Sequence, residues 1–375
     1  MADKGFAADE LDAAWPALSV EERVEGFELL PRDDAEKFFL QLSARDQAQM
    51  ILALPQGERR LWLRLLAPDE AVDLIQEVPQ EKREDLLQLL DETTRREVKG
   101  LLAYAEDDAG GLMNPRYARL RPDMSVDEAI SYLRRDARAR TSVYYAFVVD
   151  SENRLMGVVS FRDLFAVSGD RPVHEVMRKD IVTASEDMDQ EALSHLFAKH
   201  NLLMIPVVDS ERRIKGVVTF DDIMDVVQEE ATEDIQKIGG TQALEAPYLQ
   251  VPLLHMIKKR AGWLVVLFLG EMLTATAMGY FEEEIARAVV LALFVPLIIS
   301  SGGNSGSQAT TLVIRAMALG ELRLRDWWRV IRRELATGLA LGSILGAIGL
   351  LRILLWQKFF HLYGEHYILV AVTVA

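Results

Sequence analysis

Residues 147–164 read FVVDSENRLMGVVSFRDL, and residues 206–223 read PVVDSERRIKGVVTFDDI. The two stretches are 59 positions apart and share 11 of 18 residues. Each has an apolar run, a polar turn and a second apolar run with an early glycine, a pattern typical of a β-hairpin followed by the start of a helix. Amphipathic segments at 126–133 and 190–198 precede the two copies and predict helices. The sequence therefore contains a duplicated α+β unit, from about 117 to 228.

A second kind of repeat precedes this unit. Pro31, Pro55 and Pro79 are 24 residues apart, and each follows an apolar residue. Three further breaks, each about 12 residues after one of these prolines, lie at Leu42-Ser43, Leu66-Ala67 and Leu90-Asp91. Short apolar segments thus recur about every 12 residues, which predicts short helices stacked into an all-α superhelix over 9–105. Such a surface is more often an interaction or regulatory scaffold than a catalytic one.

The composition excludes several classes of protein. The chain has 375 residues, with 42 Lys+Arg, 58 Asp+Glu, a net charge of −16 and no Cys. This acidic balance argues against nucleic acid as a partner, because binding phosphates needs a basic face. Without Cys there is no disulfide scaffold, thiolate zinc site, iron–sulfur cluster or Cys nucleophile. The six His show no HExxH spacing, and we find no nucleophile–base motif or phosphate loop, so we do not expect an enzyme.

The acidic excess lies entirely in the first 250 residues, and the rest of the chain predicts a membrane domain. Residues 261–281 and 335–356 each contain one charged residue and are long enough to cross a bilayer, which takes about 20 residues. Residues 288–314 predict one long or broken spanning helix. A further apolar run begins at 367. Glu271, inside the first span, is a functional candidate without a visible partner.

Charges beside these spans predict their orientation. The connections are basic at 258–260, acidic at 282–284 and rich in arginine at 315–333. Because basic connections stay in the cytoplasm, the first 250 residues and the second connection are expected there.

Clustered carboxylates form three candidate groups. Asp225, Glu229 and Glu233 share one face of a predicted helix in a stretch, 216–236, without Lys or Arg. Like charges at this spacing destabilise a helix, so the face is either solvated or screened by a divalent cation. Mg²⁺ suits such a cluster, because it prefers carboxylates and retained water. The other two groups are Asp69 with Asp73 and Asp189 with Glu191.

The duplicated unit resembles a tandem CBS-domain pair. In that family a hydroxyl–x–x–Asp pattern at the hairpin end holds the ribose of an adenine nucleotide. The same residue types cap helices, and many CBS pairs bind no nucleotide, so both interpretations stay open. The resemblance implies five candidate nucleotide-binding residues: Ser160, Arg162, Asp163, Thr219 and Asp222.

The order of the parts resembles the MgtE family of magnesium channels and transporters over essentially the whole chain. Three strings carry the resemblance: AGGLMNP at 109–115, EATEDI at 230–235, and VP at 295–296 followed by GGNSGSQ at 302–308. It implies a multidomain fold, divided into a superhelical N domain (1–112), the CBS pair (113–230), a connecting plug helix (231–260) and an α-helical transmembrane domain (261–375).

The resemblance also implies a function: a homodimeric, Mg²⁺-gated Mg²⁺ channel in the bacterial inner membrane. High internal Mg²⁺ would bridge facing acidic surfaces and favour a closed state. The implied Mg²⁺ sensor residues are Asp69, Asp73, Asp189, Glu191, Asp222, Asp225, Glu230, Glu233 and Asp234. The implied pore-lining residues are Pro296, Gly302, Gly303, Asn304, Gly306 and Gln308, where glycines would let backbone carbonyls approach and Asn304 and Gln308 offer amide oxygens.

Two departures qualify the resemblance. Asn201 stands in a helix–strand turn where the family can carry an acidic residue. Family members have five spans, and this chain ends nine residues into a fourth, so we expect the full-length gene product to carry the missing spans. The alternative function is a membrane-anchored sensor of Mg²⁺ or adenine nucleotide without transport of its own.

Overall fold

The structure, a computed structural model, describes residues 8–136, 144–244, 248, 251–283, 294–318, 321–360 and 367–375. The chain divides into two compact units, Met1–Val227 and Gln228–Ala375, each described here on its own.

The first unit begins with stacked helices. After α1 (Ala8–Ala14) and a 3₁₀ turn (Trp15–Ala17) come α2 (Val20–Glu28), α3 (Arg32–Gln41), α4 (Ala44–Ala53), α5 (Gln56–Leu63), α6 (Pro68–Gln76), α7 (Gln80–Leu89) and α8 (Glu92–Leu101).

The helix starts explain the spacing of the prolines. Pro31, Pro55 and Pro79 each occupy the N-cap position, immediately before α3, α5 and α7. Ser43 and Asp91 cap α4 and α8 with side-chain hydrogen bonds to backbone N–H groups of the first turn, which satisfies donors that a helix start leaves unpaired. The predicted all-α superhelix is confirmed.

Two α+β repeats follow the short helix α9 (Ala109–Leu112). The elements of the first are β1 (Arg119–Leu120), α10 (Val126–Asp136), β2 (Tyr145–Val149), β3 (Leu155–Ser160), α11 (Phe161–Phe165) and α12 (Val173–Val176). Those of the second are β4 (Ala184–Ser185), α13 (Gln190–His200), β5 (Met204–Val208), β6 (Ile214–Thr219) and α14 (Phe220–Ile238).

The two sheets have the same topology and the same register. Their orders are β1-β2-β3 and β4-β5-β6, with the first pair of each parallel and the second antiparallel. Val148 lies opposite Gly157 in the first hairpin, and Val207 lies opposite Gly216 in the second. The duplication of sequence is therefore a duplication of structure down to individual pairs.

The hydrophobic cores do not follow the duplication. The core of the N-terminal helices continues through Ala109 and Met113 into the second repeat, where it includes Leu193 and Ile205. The first repeat has its own core. The two hairpins meet in a third cluster that includes Phe147 and Ile214. The second repeat thus shares a core with the helical domain, and the first repeat packs on the second through the hairpins.

The second unit holds the C-terminal part of α14 and the helices α15 (Leu253–Tyr280), α16 (Val295–Ala318), α17 (Trp327–Phe360) and α18 (Tyr367–Val374). A 3₁₀ turn, Leu324–Asp326, leads into α17. Among the described residues, two segments are long and apolar enough to span a membrane, Leu253–Tyr280 and Leu324–Phe359. Their apolar side chains are largely exposed, as lipid-facing side chains would be.

The structure corrects one expectation about the glycine-rich string. Gly302, Gly303 and Gly306 all lie inside the continuous helix α16. Residues 288–293, the first part of the predicted span, lie outside the described residues. Carbonyls in a helix interior accept hydrogen bonds from the N–H four residues on, so backbone oxygens are not free to line a cavity here. Asn304 and Gln308, four residues apart, share one face of α16.

A left-handed glycine follows the end of α14 and lies against Trp263 of α15. Gly240 has φ +67°, and a Cβ placed there would lie 2.4 Å from the Trp263 ring. The N–H of Gly240 donates to the carbonyl of Lys237 at 2.9 Å, which ends α14. Only glycine combines this backbone conformation with so close a ring.

Candidate functional site

The candidate site lies where α6 packs beside the second repeat. Asp69, in the first turn of α6, is 7% exposed, and Asn114 is fully buried. The Nδ2 of Asn114 donates to the Oδ1 of Asp69 at 2.9 Å. The backbone of Asn114 pairs with Val217 of β6 through hydrogen bonds of 2.7 and 3.0 Å. One asparagine therefore connects α6 to the second sheet.

A second carboxylate reaches the same place from the start of α14. Asp222 is half-buried, and its Oδ2 accepts hydrogen bonds from the hydroxyl and the N–H of Thr219, at 2.5 and 3.2 Å. Burial raises the pKa of Asp222 to about 6, although the Thr219 hydrogen bonds oppose the rise. The Thr–x–x–Asp spacing thus caps a helix and also places a carboxyl group at the domain contact.

The carboxylates of this site raise one another's pKa. Burial raises the pKa of Asp69 to about 7, and the charges of Asp222 and Glu70 contribute after it. Asp73 lies one helical turn further, and part of its surface is exposed. Desolvation of its carboxyl group raises the pKa of Asp73, and the charges of Asp69 and Asp222 raise it further. Ionised together, these groups oppose the packing that holds them together. The arrangement favours a proton or a cation.

The segment that links the helical domain to the duplicated unit also contacts an acidic turn of the second repeat. Ala109 and Gly110 donate backbone hydrogen bonds to the carbonyls of Met188 and Glu186, at 2.7 and 2.9 Å. The hydroxyl of Tyr104 donates to the Glu186 carboxylate at 2.9 Å. These contacts hold the helical domain against the turn that leads into α13.

Asp189 and Glu191, from the predicted third pair, lie at the start of α13. The Oδ1 of Asp189 accepts from the N–H of Glu191 at 2.9 Å and caps the helix. The N–H of Gln190 donates to the carbonyl of Asp107, so this helix start faces the acidic linker. Asn201 ends the same helix in the left-handed region, with φ 51°, a conformation that asparagine tolerates well.

The remaining predicted sensor residues lie along α14. Asp225 is exposed, and Glu230 and Asp234 are half-buried on later turns. Glu233 forms an ion pair of 2.7 Å with Lys237, four residues on. In the part of the chain that the structure describes, no three carboxylate or imidazole side chains are grouped so as to hold a metal ion.

Three of the candidate nucleotide-binding residues, Ser160, Arg162 and Asp163, lie in the first repeat, where Ser160 and Asp163 are equivalent to Thr219 and Asp222 of the second. The hydroxyl of Ser160 donates to Asp163 at 2.7 Å and accepts from its N–H at 3.1 Å, a reciprocal cap for α11. Asp163 also pairs with Arg178 at 3.1 Å, while Arg162 is exposed. Ser160 and Asp163 therefore cap α11 reciprocally, and Asp222 accepts hydrogen bonds from Thr219 at the start of α14.

Sequence reasoning did not select Asn114, Tyr104 or Glu186 as site residues. Asn114 is 45 positions from Asp69, and Tyr104 is 82 positions from Glu186. No local spacing marks such pairs, because they meet only when the helical domain packs on the second repeat. The one available signal was Asn114 itself, a polar residue within the apolar string 112–115.

Profiles of known families match three parts of the chain. The MgtE intracellular N domain matches residues 8–107, and the CBS domain matches 109–170 and 173–229. The divalent cation transporter profile, MgtE, matches 295–375.

Individual relatives agree with these profiles. The chain is 40% identical to the magnesium transporter MgtE of Thermus thermophilus over 339 residues, 90% of this chain and 75% of that one. A crystal structure of the cytosolic domain of the Mg²⁺ channel MgtE in complex with ATP matches with a TM-score of 0.55 and 39% identity, covering 59% of this chain and 90% of that one.

Similarity to an enzyme is confined to the duplicated unit. Inosine-5′-monophosphate dehydrogenase of Aquifex aeolicus is 32% identical over 123 residues, which is 32% of this chain and 24% of the enzyme. The relative that matches most of the chain is a transporter rather than an enzyme.

Proposed function

The chain belongs to the MgtE family of divalent cation transporters, and we propose from this premise that it conducts Mg²⁺ and that its acidic domains sense Mg²⁺ and close the path. The observation that carries the proposal is the packing of Asp69 and Asp222 at one domain contact with raised pKa values. If Mg²⁺ neutralises these carboxylates, it stabilises the domain contact, so the contact can report the Mg²⁺ concentration to the transporter.

The proposed gating is a population shift. Without Mg²⁺ the ionised carboxylates repel and the domains separate. With Mg²⁺ the ion neutralises the contact and favours the closed arrangement, provided that it binds that arrangement more tightly. The ligands would be carboxylate oxygens and retained water, the set that Mg²⁺ prefers. The proposed sensor residues are Asp69, Asp73, Asp189, Glu191, Asp222, Asp225, Glu230, Glu233 and Asp234.

The proposed path for the ion follows α16. Asn304 and Gln308 lie on one face of this helix, and their amide oxygens suit an ion that keeps its water shell. An added Cβ at Gly302, Gly303 or Gly306 would meet nothing within 4 Å, so this part of the helix leaves room beside it. Pro296 lies in the first turn of the same helix and completes the proposed lining.

Four further assignments are part of the proposal. The domains are 1–112, 113–230, 231–260 and 261–375. The functional unit is a homodimer in the inner membrane, with the first 250 residues in the cytoplasm. Adenine nucleotide binds near Ser160, Arg162, Asp163, Thr219 and Asp222, and the ATP complex of the related cytosolic domain supports this assignment.

Flux into proteoliposomes tests the transport proposal. We expect the protein expressed from its full-length gene to carry Mg²⁺ to an enclosed fluorescent indicator. Asn304→Leu/Gln308→Leu should reduce the rate at least about tenfold, which corresponds to a barrier increase of about 1.4 kcal/mol. Thr337→Val, in α17, is the matched control. Absent flux, with Mg²⁺ still protecting the first unit from protease, would replace the transporter with the membrane-anchored sensor.

A further inference from the structure

A groove at the start of α17 is built mainly from arginine. It has a volume of about 580 Å³ and is lined by Arg325, Asp326, Trp328, Arg329, Arg332 and Arg333. Four guanidinium groups and one carboxylate give it a strong positive charge. Within the described residues, Asp326 pairs with Arg329 at 3.2 Å, and no carboxylate pairs with Arg325, Arg332 or Arg333.

The clustered arginines do not stabilise α17. Arg329, Arg332 and Arg333 are three and four residues apart, so their like charges share one helix face and repel. They also lie near the N-terminus of α17, where the helix dipole favours anions and not cations. Both effects destabilise the bare helix, and both are reversed by a bound anion.

The position of the groove identifies the source of the anion. The apolar part of α17 begins at Leu335, two residues after Arg333, or about 3 Å along the helix axis. Trp327 and Trp328 are 60% and 57% exposed, with ring centroids 5.5 Å apart. Exposed tryptophans at the end of a spanning helix lie at the level of lipid head groups. The arginines therefore lie at the level of the lipid phosphates.

From this geometry we infer that the groove binds the phosphodiester head group of an anionic phospholipid. Arginine suits the task, because its planar fork donates two parallel hydrogen bonds to phosphate oxygens. The orientation of the spans accounts for a basic connection, but it does not require four arginines to converge on one groove. The inference concerns lipid binding and holds whether or not the chain conducts Mg²⁺.

Lipid retention by the whole chain tests the inference. Phosphatidylglycerol is titrated into the detergent-solubilised chain against a background of phosphatidylcholine, and bound lipid is counted by native mass spectrometry. We expect preferential retention of phosphatidylglycerol, and at least about tenfold weaker retention in Arg329→Gln/Arg332→Gln/Arg333→Gln. The matched control, Arg60→Gln/Arg64→Gln/Arg135→Gln, removes the same charge from exposed positions elsewhere and is expected to bind as the parent does.

Two further arms make the result decisive. Arg329→Lys/Arg332→Lys/Arg333→Lys keeps the charge and the fold but loses the forked donors, so we expect retention between those of the parent and the glutamine variant. Excess inorganic phosphate should not displace the lipid. Unchanged retention in both groove variants, equal loss in the control, or displacement by phosphate alone would overturn the inference.

Discussion

The side-chain amide of Asn114 donates a 2.9 Å hydrogen bond to Asp69, and both residues are buried where the helical domain meets the second repeat. A neutral donor thus partly compensates a buried carboxylate. The compensation is incomplete, since burial and neighbouring charges still raise the pKa of Asp69 to about 7.

Replacing this donor should weaken the domain contact. Asn114→Ala leaves the Asp69 carboxylate buried without its partner, which typically costs about 1–3 kcal/mol. We expect the first unit to become sensitive to protease at lower temperature. Gln88→Ala, at an exposed position, is the control and should change stability by less than about 0.5 kcal/mol. Equal behaviour of the two variants would show that the hydrogen bond does not hold the contact.

The stability of the contact should fall as pH rises in the absence of divalent cations. The Asp69 carboxyl group has an ordinary pKa of 3.8 and a folded-state pKa of about 7, so over that interval the folded state holds a proton that the unfolded state has lost. Stability therefore decreases from about pH 4 to about pH 7 and levels off above it. Thermal unfolding in EDTA across this range measures the slope.

The variant Asp69→Asn should reduce this pH dependence, and the raised pKa values of Asp73 and Asp222 should account for the slope that remains. The control is Asp91→Asn, because the hydrogen bonds of Thr94 hold the pKa of Asp91 below its usual range and outside the interval of interest. Asp91→Asn keeps a capping side chain and loses only its charge, so any loss of stability should be small and similar at every pH above about 5. A slope that Asp69→Asn leaves unchanged would show that Asp69 does not contribute to the pH dependence.

Mg²⁺ should protect the first unit from protease, and the protection should depend on the clustered carboxylates. In Asp69→Asn/Asp73→Asn/Asp222→Asn the repulsion is gone, so we expect protection without Mg²⁺ and at least about tenfold less sensitivity to added Mg²⁺. Asp33→Asn/Asp34→Asn/Asp85→Asn, on other helices of the same domain, is the matched control. Parent-like Mg²⁺ sensitivity of the first variant would count against these sensor residues.

A methyl group at Gly216 should disturb the link between β6 and Asn114. An added Cβ would lie 2.8 Å from the Asn114 carbonyl and also press on Met113. We expect Gly216→Ala to destabilise the first unit by about 1–3 kcal/mol, as overpacking does. Gly100→Ala, in α8 with open space around it, should instead stabilise by about 0.5–1 kcal/mol. Differential scanning fluorimetry distinguishes the two signs.

Gly240 should be needed to transmit the state of α14 to α15. In Gly240→Ala the positive φ becomes strained by about 1–2 kcal/mol, and the Trp263 ring has to move. We expect the Mg²⁺ dependence of flux to weaken while the maximal rate is kept. Gly239→Ala is the neighbouring control, since its nearest contact is 3.3 Å away and its φ is not positive. The same loss in both variants would refute a specific role for Gly240.

The repeats made most of the fold predictable from sequence. The spacing of Pro31, Pro55 and Pro79 indicated helix starts, because proline fits the beginning of a helix and not its middle. The two copies of VVDSE indicated two hairpins of one register. Helix starts and hairpins depend on residues that are close together in the chain, so the sequence alone can reveal them.

The contact at Asp69 was only half predictable. Clustering marked Asp69 and Asp73, and resemblance added Asp222, but the buried donor Asn114 depends on how two domains pack. For the glycine string, the sequence left a long helix and a broken helix both open, and the structure shows that α16 continues through Gly302, Gly303 and Gly306.

Because the second repeat shares a core with the helical domain, the two copies of the duplicated unit should differ in how they unfold. Ala109 and Met113 join one copy to the helices, so that copy should unfold together with them, whereas the other keeps a core of its own. Two similar sequences thus contribute to different hydrophobic cores, although their hairpins share a third cluster. A substitution at equivalent positions, such as Val159 and Val218, should therefore spread its effect over different parts of the molecule. Equivalent positions in the two copies are therefore subject to different packing constraints.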